Sequence, residues 1–446
     1  MIVLKFGGTS VSNSSAMEKV ISILEKRKKE PQLVVLSACS GITDTLIQIS
    51  DAAAKGDVSY AKALSRQIQE RHLDTARSLI LNAELFNIAS KDIIDFIDSL
   101  NELIDGIAIL KECTLHTRSK CLSYGEYLST NVFYHYCNSQ GLKSQLSDSK
   151  LLIKTIGKDN ETKIDFDQTY QLIKSSIDHI PEIKIVQGFI ASNGNGRITT
   201  FTRGGSDYSA AIYGAALDAE VIEIWSDVSG VLSADPRLVR KALPIEKMSF
   251  DEIRELSFYG AKVLHPDTIK PAMKKNIPVK ILNTFKSDDS GTTILAESKD
   301  SGDIKSLILN NNCPVLTNKS KLLSFDEIKG VNNFIMKNGI RVLFSSVSDN
   351  RVFYIMDKNT DTDVFSWMLA NHELQIKSYD IIILCGNGIN ITPDLLSALQ
   401  QTANGDFKGI FYGYSLYSMI ALYSHGFGIN ALNHLHKELI EARNNR

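Results

Sequence analysis

Residues 1–10 read Met-Ile-Val-Leu-Lys-Phe-Gly-Gly-Thr-Ser, and residues 31–43 read Pro-Gln-Leu-Val-Val-Leu-Ser-Ala-Cys-Ser-Gly-Ile-Thr. Each holds a short continuous apolar run that stops at glycine or at small hydroxyl residues. Between the runs, Met17, Val20, Ile21 and Leu24 mark a helical stripe. Ser15 and Glu18 have capping-box spacing at its start, and Pro31 closes it. Unbroken apolar runs on both sides of a helix predict buried parallel strands joined by a right-handed crossover. The fold class read from this stretch is α/β.

Working outward, residues from about Leu46 to Cys137 are rich in Ala, Leu and Ile at helical spacing and contain no proline, which predicts helices packed beside the sheet. Strand signals return over Ile183–Ile190. Asn193-Gly194-Asn195-Gly196 then predicts a hairpin turn into Arg197–Phe201. A helix over Tyr208–Leu217 and a buried strand over Val221–Trp225 extend the layered domain to about residue 296. The polar stretch from Glu297 to Gly302 reads as a linker. Beyond it come short strands (Leu307–Leu309, Val352–Met356, Ile381–Leu384) and short helices (Asp361–Leu369 and Pro393–Leu399, the second capped by Thr392). These form two rough copies of a small α+β unit.

With 446 residues, two or three domains are expected. A net charge of −2 gives no global reason to expect nucleic acid or an anionic membrane as partner. The basic run from Lys26 to Lys29 sits at a helix end, where cations suit the dipole, and reads as a solvated face. Cys39, Cys113, Cys121, Cys137, Cys313 and Cys385 show no CxxC spacing, which argues against structural zinc and a redox pair. Without a secretory leader or a membrane-length apolar run, the expectation is a soluble protein of the cytosol with reduced thiols.

The chemistry concentrates where strands end. Gly7-Gly8 has two readings, a tight turn or an anion site whose backbone N–H groups face phosphate oxygens. Lys5 favours the second, because an ammonium inside an apolar strand is costly to bury without an anionic partner. Neither GxxxxGK[ST] nor a Rossmann GxGxxG is present, and the protein-kinase catalytic-loop and DFG signatures are missing. Ser37, Ser40 and Thr43 follow the second strand, where open α/β sheets bind ligands, although a helix cap would use the same residues. Thr202-Arg203-Gly204-Gly205-Ser206-Asp207 forms a third cluster, with Arg203 either a planar clamp for a carboxylate or phosphate or a plain surface arginine. Ile224-Trp225-Ser226-Asp227 and Asp235-Pro236-Arg237 supply a fourth, weaker one. Three anion-friendly strand ends in one domain outweigh separate coincidences.

The ordered set KFGGTSV (5–11), LSACSGITD (36–44), SYGEYLST (123–130), QGFIAS (187–192), TRGGSDYSAA (202–211), WSDVSGV (225–231), DPR (235–237) and FYGAKVLHP (258–266) resembles aspartate kinase of the amino-acid kinase superfamily. The resemblance covers nearly all of residues 1–295. It implies the amino-acid kinase fold, a layered parallel-rich sheet with helices on both faces, over residues 1–296. Two α+β ACT (ferredoxin-like) units over 303–446 would follow. The first, about 315–378, would be inserted within the second, about 303–314 plus 379–446, with the strand at Leu307–Leu309 pairing with the last elements.

The implied activity is phosphoryl transfer from ATP, with Mg²⁺, to the β-carboxylate of L-aspartate, the first step of lysine, threonine, methionine and diaminopimelate biosynthesis. The implied roles fall on Lys5, Gly7, Gly8 and Asp207 for catalysis, with Asp207 organising Lys5 or a metal-bound water. Ser37, Thr43, Glu126, Phe189, Arg203, Gly204 and Ser206 would bind aspartate, Arg203 on its α-carboxylate and Glu126 near its ammonium. Ser226, Asp227, Arg237 and Lys262, with Lys5 and Gly8, would bind ATP. No metal ligand is implied. The acceptor carboxylate is already ionised near neutral pH, so no base is needed, and His265 reads as a structural or capping residue. One departure is Leu232, where relatives often carry an aromatic residue in the nucleotide loop.

The C-terminal pair implies an amino-acid effector, lysine as first choice, and a homodimer or dimer of dimers through the ACT units. The stretch Ser320–Val331 matches the effector region poorly, which leaves a dimerisation scaffold as the alternative. His434 and His436 in the closing helix read as solvated positions. A non-catalytic amino-acid sensor and a sister kinase acting on another carboxylate are the competing functions. Intact Lys5, Arg203, Asp207 and Lys262 oppose the first, and Glu126 with the paired C-terminal units opposes the second. No homoserine dehydrogenase segment is expected after residue 446.

Overall fold

The computed structural model describes residues 1–27, 30–157, 163–177, 183–201, 204–261, 264–297, 302–401 and 406–442. Two compact units emerge. The first comprises Met1–Val231, Glu246–Phe250 and Val263–Glu297, and the second Leu232–Ile245, Asp251–Lys262 and Ser298–Arg446.

The opening strand–helix–strand forms as its apolar pattern dictates. Strands Ile2–Phe6 and Gln32–Leu36 are parallel and buried along their whole length, Lys5 included. Helix Ser14–Lys26 turns Met17, Val20 and Leu24 to the core, each worth about 1.5–3 kcal/mol when fully buried. Its cap is Asn13, whose side chain accepts the N–H of Ala16 at 3.0 Å, so the capping box expected from Ser15 and Glu18 does not form. An asparagine two residues earlier takes the cap and Ser15 becomes helical. At the other end Arg27 is not a solvated cation. It pairs with the buried Glu223 at 3.0 Å and lies over the Trp225 ring. Lys28 and Lys29 lie outside the described residues.

The eight-stranded sheet runs in the order Lys247–Ser249, Thr292–Leu295, Val279–Asn283, Val221–Ser226, Ile2–Phe6, Gln32–Leu36, Ile183–Gln187, Ser144–Ser147. The five strands around Ile2–Phe6 are mutually parallel, and Leu282, Trp225, Phe6, Leu36 and Gln187 stand in one row. Their carboxyl ends therefore share one edge. Four long helices (Ile42–Ala54, Val58–Leu79, Ala83–Leu110 and Leu115–Ser139) fill the proline-free region.

The apolar run Ile183–Ile190 does not make a single strand. It breaks after Gln187, and Ile190–Asn193 joins a separate four-stranded sheet. At the break the Gly188 N–H donates to Leu36 O at 2.8 Å, and Phe189 adopts a left-handed φ of 66°. Such a conformation costs a bulky residue on the order of 1–2 kcal/mol, so the surroundings must enforce it. The Asn193–Gly196 turn closes the hairpin as expected, with Ile190 opposite Thr200 and Phe201 beyond the last rung.

The second unit carries a six-stranded antiparallel sheet in the order Val342–Ser348, Arg351–Met356, Ile304–Asn318, Leu374–Gly386, Ser418–Ser424, Phe407–Phe411. Its two long central strands pair along their length across an irregularity between Asn310 and Cys313. Leu307–Leu309 thus pairs with Ile382–Leu384, in the stretch that follows residue 379. Two cores form, one on Leu307, Ile382, Leu384, Leu399 and Leu435, the other on Leu316, Val331, Tyr354, Phe365 and Leu374. The rings of Phe344 and Phe411, from opposite ends of the strand order, approach to 4.7 Å, so the sheet curls on itself. Helix Pro393–Gln401 is capped by Thr392 as the sequence indicates. His436 is not solvated. It is fully buried between Ser233 Oγ at 2.8 Å and Glu441 Oε1 at 3.0 Å. Among the described residues no group of three or more His, Cys, Asp or Glu side chains is placed to hold a metal, and no helix is long and apolar enough to cross a membrane.

Candidate functional site

The shared edge of the five parallel strands gathers most of the residues singled out in the first unit. Lys5, mid-strand and buried, extends its Nζ to 2.7 Å from Asp207 Oδ1, in the first turn of helix Gly205–Ala216. Both side chains are largely shielded, at 11% and 15% exposure. A Cβ on Gly7 would stand 3.5 Å from Lys5 Nζ, so the glycine keeps the space beside the ammonium open. The Gly7 N–H is already donated to Trp225 O at 2.9 Å. This revises its expected role: Gly7 offers room, and the amide available to a ligand is that of Gly8, first in the turn Gly8–Val11, where helical N–H groups lack internal partners. Gly8 is also hemmed in, since a Cβ there would lie 2.7 Å from Ala38 O.

The loop after the second strand is locked onto the first. Ser40 N–H donates to Gly8 O, Cys39 Sγ to Val11 O, and Arg71 to both Ser12 O and Ser40 O at 2.9 Å. Helix Leu115–Ser139 closes over this loop. Ser129 Oγ donates to Ser37 O at 2.7 Å, and Glu126 Oε1 accepts the Ala38 N–H at 3.1 Å. Glu126 Oε2 is buried with no hydrogen-bond partner among the described residues. Burial pushes the Glu126 carboxyl up to about 8, against the opposing pull of the Ala38 and Glu126 backbone N–H groups and of Lys5. Thr43 is in the first turn of helix Ile42–Ala54, half-buried.

Gly188, Phe189, Gly204, Gly205 and Ser206 interlock. A Cβ on Gly188 would fall 2.5 Å from Ser206 Cβ, and one on Gly205 would fall 2.7 Å from the Phe189 ring. Phe189 N–H donates to Ser209 Oγ at 2.9 Å. Ser226 and Asp227 end the strand beside Ile2–Phe6, and Asn283 Nδ2 donates to Asp227 O at 3.3 Å and to Ser229 Oγ at 3.0 Å. His265 accepts the Asp267 N–H and caps the turn Pro266–Ile269, as expected.

Arg203 and Lys262 lie outside the described residues. Arg237 belongs to the second unit, where its guanidinium is drawn into a bidentate pair with Asp235, Nε–Oδ1 3.0 Å and Nη2–Oδ2 2.6 Å. Leu232 is also in the second unit, bridged to Pro244. The sequence reading missed Arg71, which carries no motif, and Asn283-Thr284. The latter had a signal: Val279-Lys280-Ile281-Leu282 is a largely apolar stretch ending in polar residues, the same pattern as Ile224-Trp225-Ser226-Asp227.

A buried cation, unspent backbone amides and an orphaned carboxyl oxygen at the carboxyl edge of a parallel sheet define an α/β domain built to hold anionic groups. The profile of the Amino acid kinase family matches residues 1–283, and the chain belongs to that family. Among its relatives, aspartokinase 1 (chloroplastic) of Arabidopsis thaliana is 35% identical over 324 residues, covering 70% of this chain and 55% of that protein. Aspartokinase 3 (chloroplastic) of the same plant is 31% identical over 384 residues, covering 83% and 66%. The chain thus spans about half to two thirds of the length of these relatives. Aspartokinase III of E. coli in complex with lysine and aspartate (T-state) superposes with a TM-score of 0.84 at 26% identity over 99% of both chains. The same enzyme with aspartate and ADP (R-state) gives 0.78 at 26% identity over 98% and 99%.

Proposed function

We propose that the protein is an aspartate kinase that transfers the γ-phosphoryl group of ATP to the β-carboxylate of L-aspartate, forming 4-phospho-L-aspartate and ADP. The observation that carries this reading is the pairing of Lys5 with Asp207 beside the open space of Gly7, a short step along the same edge from the orphaned oxygen of Glu126. The aspartate and ADP bound by E. coli aspartokinase III support the choice of both substrates.

The acceptor carboxylate titrates near ~4 and arrives ionised, so the protein removes no proton from its nucleophile. The work left is alignment and charge neutralisation. Lys5, held in place by Asp207, neutralises the transferring group, and the Gly8 amide donates to it. Glu126 receives the α-ammonium, while Ser37, Thr43, Phe189, Gly204 and Ser206 shape the amino-acid pocket. By resemblance Arg203 holds the α-carboxylate and Lys262 the nucleotide, to which Ser226 and Asp227 are offered by the neighbouring strand. Magnesium enters as the MgATP substrate. The sparse carboxylates of this edge suit an ion that keeps its phosphate and water ligands, because Mg²⁺ usually takes only one or two from the protein.

Residues 1–296 would form the catalytic domain and 303–446 two ACT units, the first nested in the second, a division supported by the two separate cores of the curled sheet. Lysine is the effector we favour. A cleft of about 600 Å³ lined by Asn318, Lys321, Asp349 and Arg351 offers charges of both signs to an amino acid. Association would run through the ACT units. Six free cysteines, five of them buried, suit a reducing compartment, and the cytosol is the proposed location.

The test is hydroxamate trapping of the acyl phosphate with MgATP and aspartate, with glutamate in parallel and Lys5→Ala as control. Trapped product from aspartate alone, lost in the variant, is the expected result. No product from aspartate refutes the assignment, and an unimpaired Lys5→Ala refutes the role of Lys5. Repeating the assay with lysine, threonine and methionine identifies the effector.

A further inference from the structure

Glu126 is more deeply sealed than an ammonium ligand needs to be. Helix Leu115–Ser139 presses onto the loop after the second strand so closely that a Cβ on Gly125 would stand 2.8 Å from Ala38 Cβ. Glu126, the next residue, is 3% exposed. One carboxyl oxygen has the Ala38 N–H, and the other is buried with nothing to accept among the described residues.

The charges around it are committed elsewhere. Lys5, from the first strand, is 2.7 Å from Asp207, which reaches in from helix Gly205–Ala216. Cys39, from the intervening loop, is a neutral thiol pushed up to about 12 by burial. Arg71, from helix Val58–Leu79, spends its guanidinium on Ser12 O and Ser40 O. Asp51, on helix Ile42–Ala54, is paired with Arg118. A buried carboxylate with an unpartnered oxygen and no cation of its own is the costly form of this group, and its protonated form is the cheaper one.

We propose that Glu126 holds a proton in the ligand-free protein near neutral pH and releases it when the α-ammonium of the substrate arrives, so that capture of the amino acid expels about one proton to solvent. The step balances: the O–H bond of the Glu126 carboxyl breaks, its proton leaves to bulk water, and the carboxylate left behind takes the ammonium as its counter-ion. The inference rests on the aspartate reading above and deepens it. It supplies a filter, because a dicarboxylate without an amino group brings no cation to displace the proton. The upward shift of the Glu126 carboxyl to about 8 agrees with the geometry.

Calorimetric titration of the full chain with aspartate at pH 7, in buffers of low and high ionisation enthalpy, counts the protons exchanged. The expected result at pH 7 is release of about one proton per aspartate, falling to about half near pH 8 and nearly gone by pH 9. Affinity should rise about tenfold per pH unit between 6 and 8 and then level off. Glu126→Gln should bind more weakly, with no release and a flat pH dependence, and succinate should bind the wild type without release. Aspartate binding with no net release overturns the inference, as does release that survives in Glu126→Gln or accompanies succinate. Absence of any aspartate binding overturns the functional reading itself, which is a separate and recognisable failure. If Glu126→Gln does not fold, infrared difference spectra of the wild type decide: the carboxylic C=O band should vanish on adding aspartate, and its absence from the free protein overturns the proposal.

Discussion

Replacing Gly8 by alanine isolates the proposed phosphate cradle from every charged group in the site. Gly8 does not have a positive φ, so alanine is conformationally allowed and the effect is steric. The new methyl would stand 2.7 Å from Ala38 O and 3.2 Å from Ser40 N, both backbone atoms that cannot rotate away. Ordinary contact needs about 3.4 Å, so the two loops must part by roughly 0.7 Å, against the Ser40 N–H to Gly8 O bond of 3.0 Å and the double grip of Arg71. Overpacking of this kind costs about 1–3 kcal/mol. A displacement approaching 1 Å at a reacting centre costs on the order of 10²-fold in rate. Gly8→Ala is therefore expected to fold, to lose about 1–3 kcal/mol in urea titration, and to show kcat reduced about 10- to 100-fold in the hydroxamate assay. Gly106→Ala is the matched control. It sits in helix Ala83–Leu110 with no atom within 4 Å of its added Cβ, and it should gain about 0.5–1 kcal/mol with activity unchanged. A Gly8→Ala enzyme with wild-type turnover would refute the claim that the two loops form one rigid cradle.

Other consequences follow from buried and capping groups. His72 is fully buried, its Nδ1 2.7 Å from Ile68 O, and burial lowers its pKa to about 4. Its neutral form is required by the fold, so stability is full above about 6.5 and falls as pH drops toward 4. By linkage this amounts to about 3 kcal/mol, and thermal melts of wild type and His72→Gln across that window should show it. Glu327 completes a capping box with Ser324 at the start of helix Phe325–Lys337, and the Ser324 backbone N–H lowers its pKa to about 2. The cap should hold above about 4.5 and be lost as pH falls toward 2, seen as faster amide exchange in that helix and absent from Glu327→Gln. Lys305 lies 3.1 Å from the fully buried Glu252, so Lys305→Met should destabilise the second unit by about 3–5 kcal/mol. Adding Glu252→Leu should restore most of that loss in chemical denaturation.

Much of the first unit was legible because its strands are buried on both faces. Apolar runs such as Ile2–Phe6, interrupted only by Lys5, and Leu33–Leu36 have few readings other than central parallel strands, and their polar terminations marked the ligand edge. The same logic failed at Ile183–Ile190, because hydropathy records that a segment is buried and not which sheet it joins. The change of sheet is set at Gly188-Phe189 by a tertiary contact with Ser206. The cap at Asn13 and the burial of His436 were missed for a related reason. Several residues offered the same local chemistry, and packing chose among them. Arg71 was invisible because its partners are carbonyl oxygens, which every residue possesses.

The close packing that hid these features also suits the proposed phosphoryl transfer to a carboxylate, which needs no catalytic base. Gly8 meets the Ala38 carbonyl, Gly125 meets the Ala38 methyl, Gly188 meets Ser206, and Gly205 meets Phe189. These four glycines come from four different segments, and at each the space of a side chain is filled by a neighbouring loop. The segments around the strand ends are thereby brought into close contact, so that in the proposed reaction amides and two or three fixed charges face the reacting groups in place of mobile side chains. Preorganised dipoles of this kind need no rearrangement as charge moves from a leaving phosphate to an accepting carboxylate. They cannot take up a proton, and for an acceptor that is already ionised they do not have to. An architecture that crowds out side chains is therefore suited to carboxylate acceptors, and it would serve an alcohol acceptor poorly, since an alcohol must lose a proton to something.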